Sequence, residues 1–226
     1  MKHKKIRHAL ILAAGRGSRM LPLTDILPKP MVPYLNTTLI GHGINQLKNQ
    51  IEKIHITVGY KKSMLADHVL SLDVHTIFNT EDKGNSWVVY NTLISMIDEP
   101  ILFLTADNIC ELDLNFIQSE YLRLKEPACM LVPVRKIDGI EGDFINSKDY
   151  IVNSISRHVP TDCYASGIQV LNPSKVIKVT QETEDFGELW EQLMSVNQLY
   201  RSEVYTKPWF SVDTIEQLSI ISRKNK

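Results

Sequence analysis

The 226-residue sequence predicts an α/β fold in which a central mixed, mostly parallel sheet is flanked by helices. Three observations carry that expectation. Continuous apolar runs such as "HALILAA" and "PILFLT" alternate with segments whose apolar residues recur at helical spacing, the pattern of a parallel sheet covered on both faces. The first apolar run opens into a glycine-broken basic loop, "GRGSRM". A later run ends in polar residues, "TADN", and strand ends of this kind are where open α/β sheets bind ligands.

Taken in order, "HALILAA" is the first strand. "TLIGHGINQLKNQI" places Leu39, Ile40, Ile44, Leu47 and Ile51 at roughly helical intervals, and "KIHITVGY" returns to strand character, giving a βαβ unit. "SMLADHVLSL" reads as a helix, "VHTIFN" as a strand, "SWVVYNTLISMI" as a helix and "PILFLTADN" as a buried strand. Farther on, "ACMLVPVR" is a strand, "YIVNSISR" and "YASGIQVL" look like a pair of strands, and "FGELWEQLMSV" is a helix. The charged stretch "VRKIDGIEGDFINSKDY", with Gly139 and Gly142, reads as a flexible excursion. No repeat or linker divides the chain, so a single domain, 1–226, is expected.

Composition narrows the function. Twenty-five Lys and Arg against 26 Asp and Glu leave no overall field to draw the chain to nucleic acid or an anionic membrane. Any anion must therefore be held by a local cluster. The three cysteines, Cys110, Cys129 and Cys163, form no C-x-x-C pair and read as buried thiols of a reduced, cytoplasmic protein. The basic head "MKHKKIRH" before "ALILAAG" mimics a signal peptide, but the apolar stretch runs straight into Arg16 and Arg19 and reads as a strand. No run approaches the length of a membrane span. The seven histidines form no H-x-x-x-H pair and point to no zinc site.

In the loop after the first strand, Gly15 and Gly17 allow positive φ and let amide N–H groups approach an anion. Arg19 offers a planar fork to phosphate oxygens. A dinucleotide fingerprint needs a third glycine where Met20 stands, and a P-loop needs Gly-Lys followed by Ser or Thr; neither is present. What does fit is "LAAGRGSRM" with "PLT" and then "PKP", which resembles the signature of nucleotidyltransferases that join an NTP to a phosphomonoester. The likeness continues through "GINQLKNQIEKIHITVGY", "LTADN", "YASGIQVLNP" and "PWFSVDTIEQL". It is closest to the short phosphocholine and sugar-1-phosphate members of that family.

The resemblance implies a Rossmann-like, GT-A-like fold, with a nucleotide-binding part over about 1–110 and an acceptor-binding part over about 111–226. It also implies a cytoplasmic enzyme of sugar nucleotide biosynthesis that depends on Mg²⁺ and releases pyrophosphate. Arg19 would hold the β- and γ-phosphates and Lys29, its backbone restricted by Pro28 and Pro30, would approach the α-phosphate. Leu12, Ala13, Ala14, Gly15, Gly17 and Ser18 would cradle the nucleotide, and Asn79, Asn85 and Ser86 would read the base. Asp107, at the end of a buried strand, suits a Mg²⁺ ligand, since that ion takes one or two carboxylates plus waters and phosphates. Many relatives carry the second acid where Ser211 stands; Asp213, two places later, takes that role here. Tyr164, Gly167 and Glu188 would meet the acceptor, with Trp87, Tyr90, Trp190 and Glu191 as further lining candidates. The "GNSWVVYNTL" stretch looks more like cytidylyltransferases than the uridylyl or thymidylyl branches and favours CTP. A UTP- or dTTP-using enzyme and a non-catalytic, nucleotide-binding regulatory module are the competing readings; an NAD-dependent oxidoreductase lacks its third glycine. A homodimer is the one assembly allowed for.

Overall fold

A computed structural model describes residues 5–224; the first four residues of the basic head lie outside them. In chain order the elements are β1 (His8–Leu12), α1 (Leu23–Ile26), β2 (Pro33–Tyr34), β3 (Thr37–Thr38), α2 (Leu39–Leu47), β4 (Lys53–Val58), α3 (Lys62–Leu70), β5 (Thr76–Asn79), α4 (Trp87–Asn91), β6 (Ile101–Thr105) and β7 (Asn108–Cys110). The second half adds α5 (Leu114–Arg123), β8 (Cys129–Arg135), β9 (Phe144–Lys148), β10 (Ile151–Ser156), β11 (Cys163–Leu171), α6 (Pro173–Val179), α7 (Phe186–Ser195), β12 (Leu199–Arg201), β13 (Trp209–Ser211) and α8 (Ile215–Lys224).

Nine strands form one sheet in the order β5-β4-β1-β6-β11-β8-β12-β10-β9. β5, β4, β1 and β6 are mutually parallel. Following the pairings outward, only β11 and β10 run against the rest, so the sheet is mixed and mostly parallel. Its two faces explain the unbroken apolar runs: Ala9 and Ile11 of β1 pack into one core, and Leu10 between them into the other. Leu102 and Leu104 of β6 likewise oppose Ile101 and Phe103.

Local chemistry sets the helix ends. Thr38 caps α2 by accepting from Gly41 N–H at 3.1 Å, Asp113 caps α5 from Phe116 N–H, and Asp185 caps α7 from Gly187 N–H. The single helix expected over "SWVVYNTLISMI" is two pieces. Thr92 leaves helical geometry at φ −131°, ψ −179°, and its hydroxyl caps a 3₁₀ turn over Leu93–Met96. The excursion after Arg135 is only partly a loop: Ile140 is buried, and Phe144–Lys148 is strand β9, held by β10. Its charges are surface residues that mask the buried Ile145. β10 and β11 are both strands, but they hydrogen-bond to other partners and not to each other.

A separate two-stranded ladder joins β7 to β13 antiparallel, with Asn108 opposite Ser211. It brings together the stretches after β6 and after β12, so Asp107 and Asp213 come to one place. Among the described residues no helix is long and apolar enough to cross a membrane. All three cysteines are buried and unpaired.

Candidate active site

The glycine loop is tied down before any ligand arrives. Ala13 N–H donates to Thr57 Oγ1 at 2.9 Å, and Tyr60 N–H donates to the Ala14 carbonyl at 2.9 Å. Thr24 Oγ1 donates to the Gly17 carbonyl at 3.1 Å, and the Tyr60 hydroxyl donates to the Thr24 carbonyl at 2.9 Å. The threonine of "PLT" and the "GY" turn thus fix the loop from two sides. Gly17 sits at φ +68°, and a Cβ there would lie 2.6 Å from Lys29 Cβ. Gly15 does not use positive φ, contrary to expectation, and faces open space. Its missing side chain keeps a cavity open.

That cavity, of about 340 Å³, is bounded by Leu12, Ala13, Gly15, Gly17, Ser18, Arg19, Lys29, Asp107 and Asp213, with Pro30, Thr105 and Ala106 completing the wall. Lys29 stands in a 3₁₀ turn entered from Pro28 and continued by Pro30. Its Nζ donates to Asp107 Oδ2 at 2.6 Å and to Asp213 Oδ1 at 2.8 Å. Burial opposes the ammonium charge, but the Asp107 and Asp213 carboxylates outweigh it and raise the lysine pKa. Arg19 Nη2 also reaches Asp213 Oδ1 at 2.9 Å, with its side chain 60% exposed. Asp213 follows strand β13 instead of lying on it, and its N–H donates to Gln217 Oε1 at 2.7 Å. The Asp107 carbonyl accepts from Val212 N–H at 3.1 Å.

Two further cavities adjoin this one. On one side, about 200 Å³ lies against Leu12, Ala14, Gly15, Thr57, Thr80, Asp82, Lys83, Gly84, Asn85 and Val88. On the other, about 180 Å³ lies among Arg19, Asp107, Asn108, Glu141, Asp143, Arg157, Ser166, Gly167, Trp209, Ser211 and Asp213. A bulge in β11 shapes this second side: pairing with β8 skips from Ala165 to Gln169, and Gly167 sits in the bulge at φ +78°. The Ser166 carbonyl accepts from Asn108 Nδ2 at 2.8 Å and from Trp209 Nε1 at 3.1 Å.

Four of the residues read from the sequence stand elsewhere. Ser86 is fully buried, and its hydroxyl bonds to both the carbonyl and the hydroxyl of Thr183. Asn79 is exposed and accepts from Glu81 N–H, capping a turn; its neighbour Thr80 borders the cavity. Tyr164 is core, its ring edge-on to Trp209 and Phe144 and its hydroxyl accepting from Ile137 N–H. Glu188 is exposed in the first turn of α7 and borders none of these three cavities. Asn85 does border the cavity of about 200 Å³, although its Oδ1 accepts from Phe186 N–H at 2.8 Å. Trp87, Tyr90, Trp190 and Glu191 line none of the three either. Thr57, Thr80, Asp82 and Lys83 on one side, and Glu141, Asp143 and Arg157 on the other, were not singled out from sequence. The crowding of acids in the excursion was the available signal for Glu141 and Asp143.

A lysine clasped by two acids beside a glycine loop, at the carboxyl edge of parallel strands, marks an α/β protein with its candidate site where open sheets of this class bind ligands. The family model described as nucleotidyl transferase matches residues 8–136, more than half of the chain. The chain belongs to the nucleotidyl transferase family.

Bifunctional protein GlmU of Methanococcus maripaludis is 43% identical over 104 residues, which cover 46% of this chain and 25% of that protein. The UTP–glucose-1-phosphate uridylyltransferase AglF of Haloferax volcanii is 30% identical over 129 residues, 55% of this chain and 53% of that one. The chain therefore spans only a quarter to a half of the length of these curated relatives. Among solved structures, the inositol-1-phosphate CTP transferase from T. maritima matches with a TM-score of 0.81 at 16% identity, over 98% of this chain and 96% of that chain. The CTP:phosphocholine cytidylyltransferase of Streptococcus pneumoniae matches with a TM-score of 0.76 at 22% identity, over 97% and 99%. At these identities the two structures establish the shared fold.

Proposed function

We propose that this chain transfers a nucleotidyl group from an NTP, CTP in preference, to a sugar 1-phosphate or similar phosphomonoester and releases pyrophosphate. The observation that carries the reading is the contiguity of three cavities, with Lys29, Asp107 and Asp213 at the middle one. The base belongs beside Thr80 and Asp82, the phosphates over Gly15 and Gly17, and the acceptor beside Gly167.

An oxygen of the acceptor phosphate forms a bond to the α-phosphorus while the bond from that phosphorus to its bridging oxygen breaks. Pyrophosphate leaves with the electron pair. No protein nucleophile is required, so the chain's task is positioning and charge neutralisation. Lys29 supplies a compact positive charge, held charged by its two acids, at the middle of the row. Arg19, with its side chain 60% exposed at the cavity rim, supplies a fork for the outgoing phosphates.

Asp107 Oδ2 and Asp213 Oδ1 both converge on one cationic nitrogen, so the donor set fits a Mg²⁺ ion. Two carboxylates are the hard oxygen donors such an ion takes from protein, its remaining ligands coming from water and phosphate. When bound, that ion neutralises phosphate oxygens and holds them in place.

Asp82 supports CTP, because a carboxylate accepts from the exocyclic amine of cytosine. Lys83 on the same wall favours the second reading, UTP or dTTP, by donating to a carbonyl at that position. The acceptor cavity holds one aromatic, Trp209, among acids, serines and Arg157. That mixture suits a hydroxyl-rich sugar phosphate better than a quaternary amine, which calls for an aromatic cage. Three buried thiols support a reducing, cytoplasmic setting. The test is pyrophosphate release from CTP, UTP, dTTP, ATP and GTP against several sugar 1-phosphates and phosphocholine, with and without Mg²⁺. A UTP or dTTP preference overturns the CTP assignment; nucleotide binding without turnover of any acceptor favours the regulatory module.

A further inference from the structure

The segment Asp82 to Ser86, whose first four residues wall the cavity of about 200 Å³, keeps a Lys83 N–H to Thr80 carbonyl bond within its own half but takes most of its hydrogen bonds from the other half of the chain. Gly84 N–H donates to Glu184 Oε2 at 2.7 Å, and Ser86 N–H donates to the Glu184 carbonyl at 3.2 Å. Ser86 Oγ lies 2.8 Å from the Thr183 carbonyl and 2.9 Å from Thr183 Oγ1. In return Asn85 Oδ1 accepts from Phe186 N–H at 2.8 Å. The two backbones meet so closely that a Cβ on Gly84 would fall 1.7 Å from the Glu184 carbonyl oxygen. Ser86 and Thr183 are both buried. The α6–α7 connection therefore clasps the cavity wall, about a hundred residues away in sequence, and it lies beyond the stretch that matches the family model.

We infer that Glu184, seconded by Thr183, is a positioning residue for the nucleotide base. The inference rests on the reading of the cavity beside Thr80 and Asp82 as the base site. Glu184 does not border that cavity, so it acts through Gly84, Asn85 and Ser86, whose neighbours Asp82 and Lys83 present the groups able to tell one base from another. A loop with few apolar contacts of its own samples many conformations unless tied. A charged hydrogen bond across the chain selects one of them. Nucleotide choice is thus set partly from the C-terminal half, and the division of the chain into a nucleotide part and an acceptor part is not strict at this point.

The test compares the full chain with Glu184→Ala, Glu184→Gln and Gly84→Ala. CTP and UTP are first titrated calorimetrically with Mg²⁺ and no acceptor, and then both KM values and kcat are measured. Loss of the Glu184 carboxylate should weaken CTP binding about tenfold, the order expected for one hydrogen bond to a charged group. The CTP-to-UTP ratio should narrow, while the acceptor KM stays within about twofold and the melting temperature hardly moves. Glu184→Gln retains an acceptor for Gly84 N–H and should recover most of the affinity. Gly84→Ala should be the most severe. Weakened CTP binding in Glu184→Ala supports the inference even if no acceptor is turned over. Unchanged CTP binding in Glu184→Ala, or a uniform loss of every parameter alongside melting temperature, overturns it and leaves the transferase reading standing. Absence of CTP and UTP binding by the unaltered chain overturns both.

Discussion

Gly15 and Gly17 stand two residues apart in one loop, yet a methyl group at each should act in opposite ways. At Gly17 the backbone is left-handed, φ +68°, where a Cβ costs about 1–2 kcal/mol. The added carbon would also sit 2.6 Å from Lys29 Cβ and 2.9 Å from Lys29 Cδ, closer than real contacts allow. Because Pro28 and Pro30 restrict the turn that carries Lys29, its side chain must move away from Asp107 and Asp213. Gly17→Ala should therefore lower the melting temperature by about 2–8 °C, from roughly 2–4 °C per kcal/mol in a chain of this size. A displacement of about 1 Å at the reacting centre should cost on the order of a hundredfold in kcat. Gly15→Ala meets no atom within 4 Å and should leave stability unchanged, or raise it by less than about 1 kcal/mol. Its methyl projects where two cavities join and should raise the nucleotide KM instead. Thermal melts and steady-state kinetics on the two variants separate the effects. A Gly17→Ala enzyme with unaltered kcat, or a Gly15→Ala chain that melts lower than Gly17→Ala, would refute the assignment of these glycines.

Lys29→Ala should depress kcat far more than it weakens nucleotide binding, because a point charge at the reacting phosphorus matters most in the transition state; an unchanged kcat removes Lys29 from the catalytic set. Asp107→Asn and Asp213→Asn should each raise the Mg²⁺ requirement and cut turnover by orders of magnitude, with Ser211→Ala mild, in a Mg²⁺ titration of turnover. A severe Ser211 defect beside a near-normal Asp213 variant reverses the choice between them. His55, buried and 3.0 Å from His8, has its pKa pushed down to about 4 by burial and then by His8 and His75. The unfolded chain binds that proton more readily, so this group costs stability as pH falls from about 6.5 to about 4 and nothing further below, up to about 3 kcal/mol in all. His55→Phe should flatten the melting-temperature profile across that window; an equal slope in both proteins denies His55 the role.

The N-terminal half was largely legible because its signals are local. β1 and β6 carry apolar residues on both faces and announce themselves as runs, β4 alternates Ile54, Ile56 and Val58 with polar residues, and the glycine loop follows β1 directly. The lysine between prolines could be paired with the loop only through the family likeness, and the structure supplies the physical reason, a side chain packed against Gly17. Legibility failed where a residue's partner is remote. Ser86 looked like a base reader because its type suits the task, but its hydroxyl is consumed by Thr183. Tyr164 and Glu188 failed for opposite reasons, one drawn into the core by Trp209 and Phe144 and the other left on the outer face of α7. Thr57 carries no sequence mark at all, since it is one of three polar residues, with Lys53 and His55, that alternate along β4, and its hydroxyl takes the Ala13 N–H. β9 was hidden because it has only one buried position, Ile145, with Asn146 and Lys148 exposed and the charged Asp143 and Asp149 directly outside its ends.

The β7–β13 ladder sets the gap between Asp107 and Asp213 as a ruler sets the distance between two marks. Each carboxylate stands within two residues of a rung, Asn108 opposite Ser211, so backbone bonding fixes their separation whatever the roughly one hundred intervening residues do. Those residues include the excursion with Glu141 and Asp143 and the turn with Arg157, which wall the cavity of about 180 Å³. Lengthening or recharging those loops would change what the cavity admits without moving the marks. The fold thus separates tolerance from exactness: under the proposed function, new acceptors would be tried by varying a surface loop, while the spacing of the two carboxylates stays anchored to two short strands.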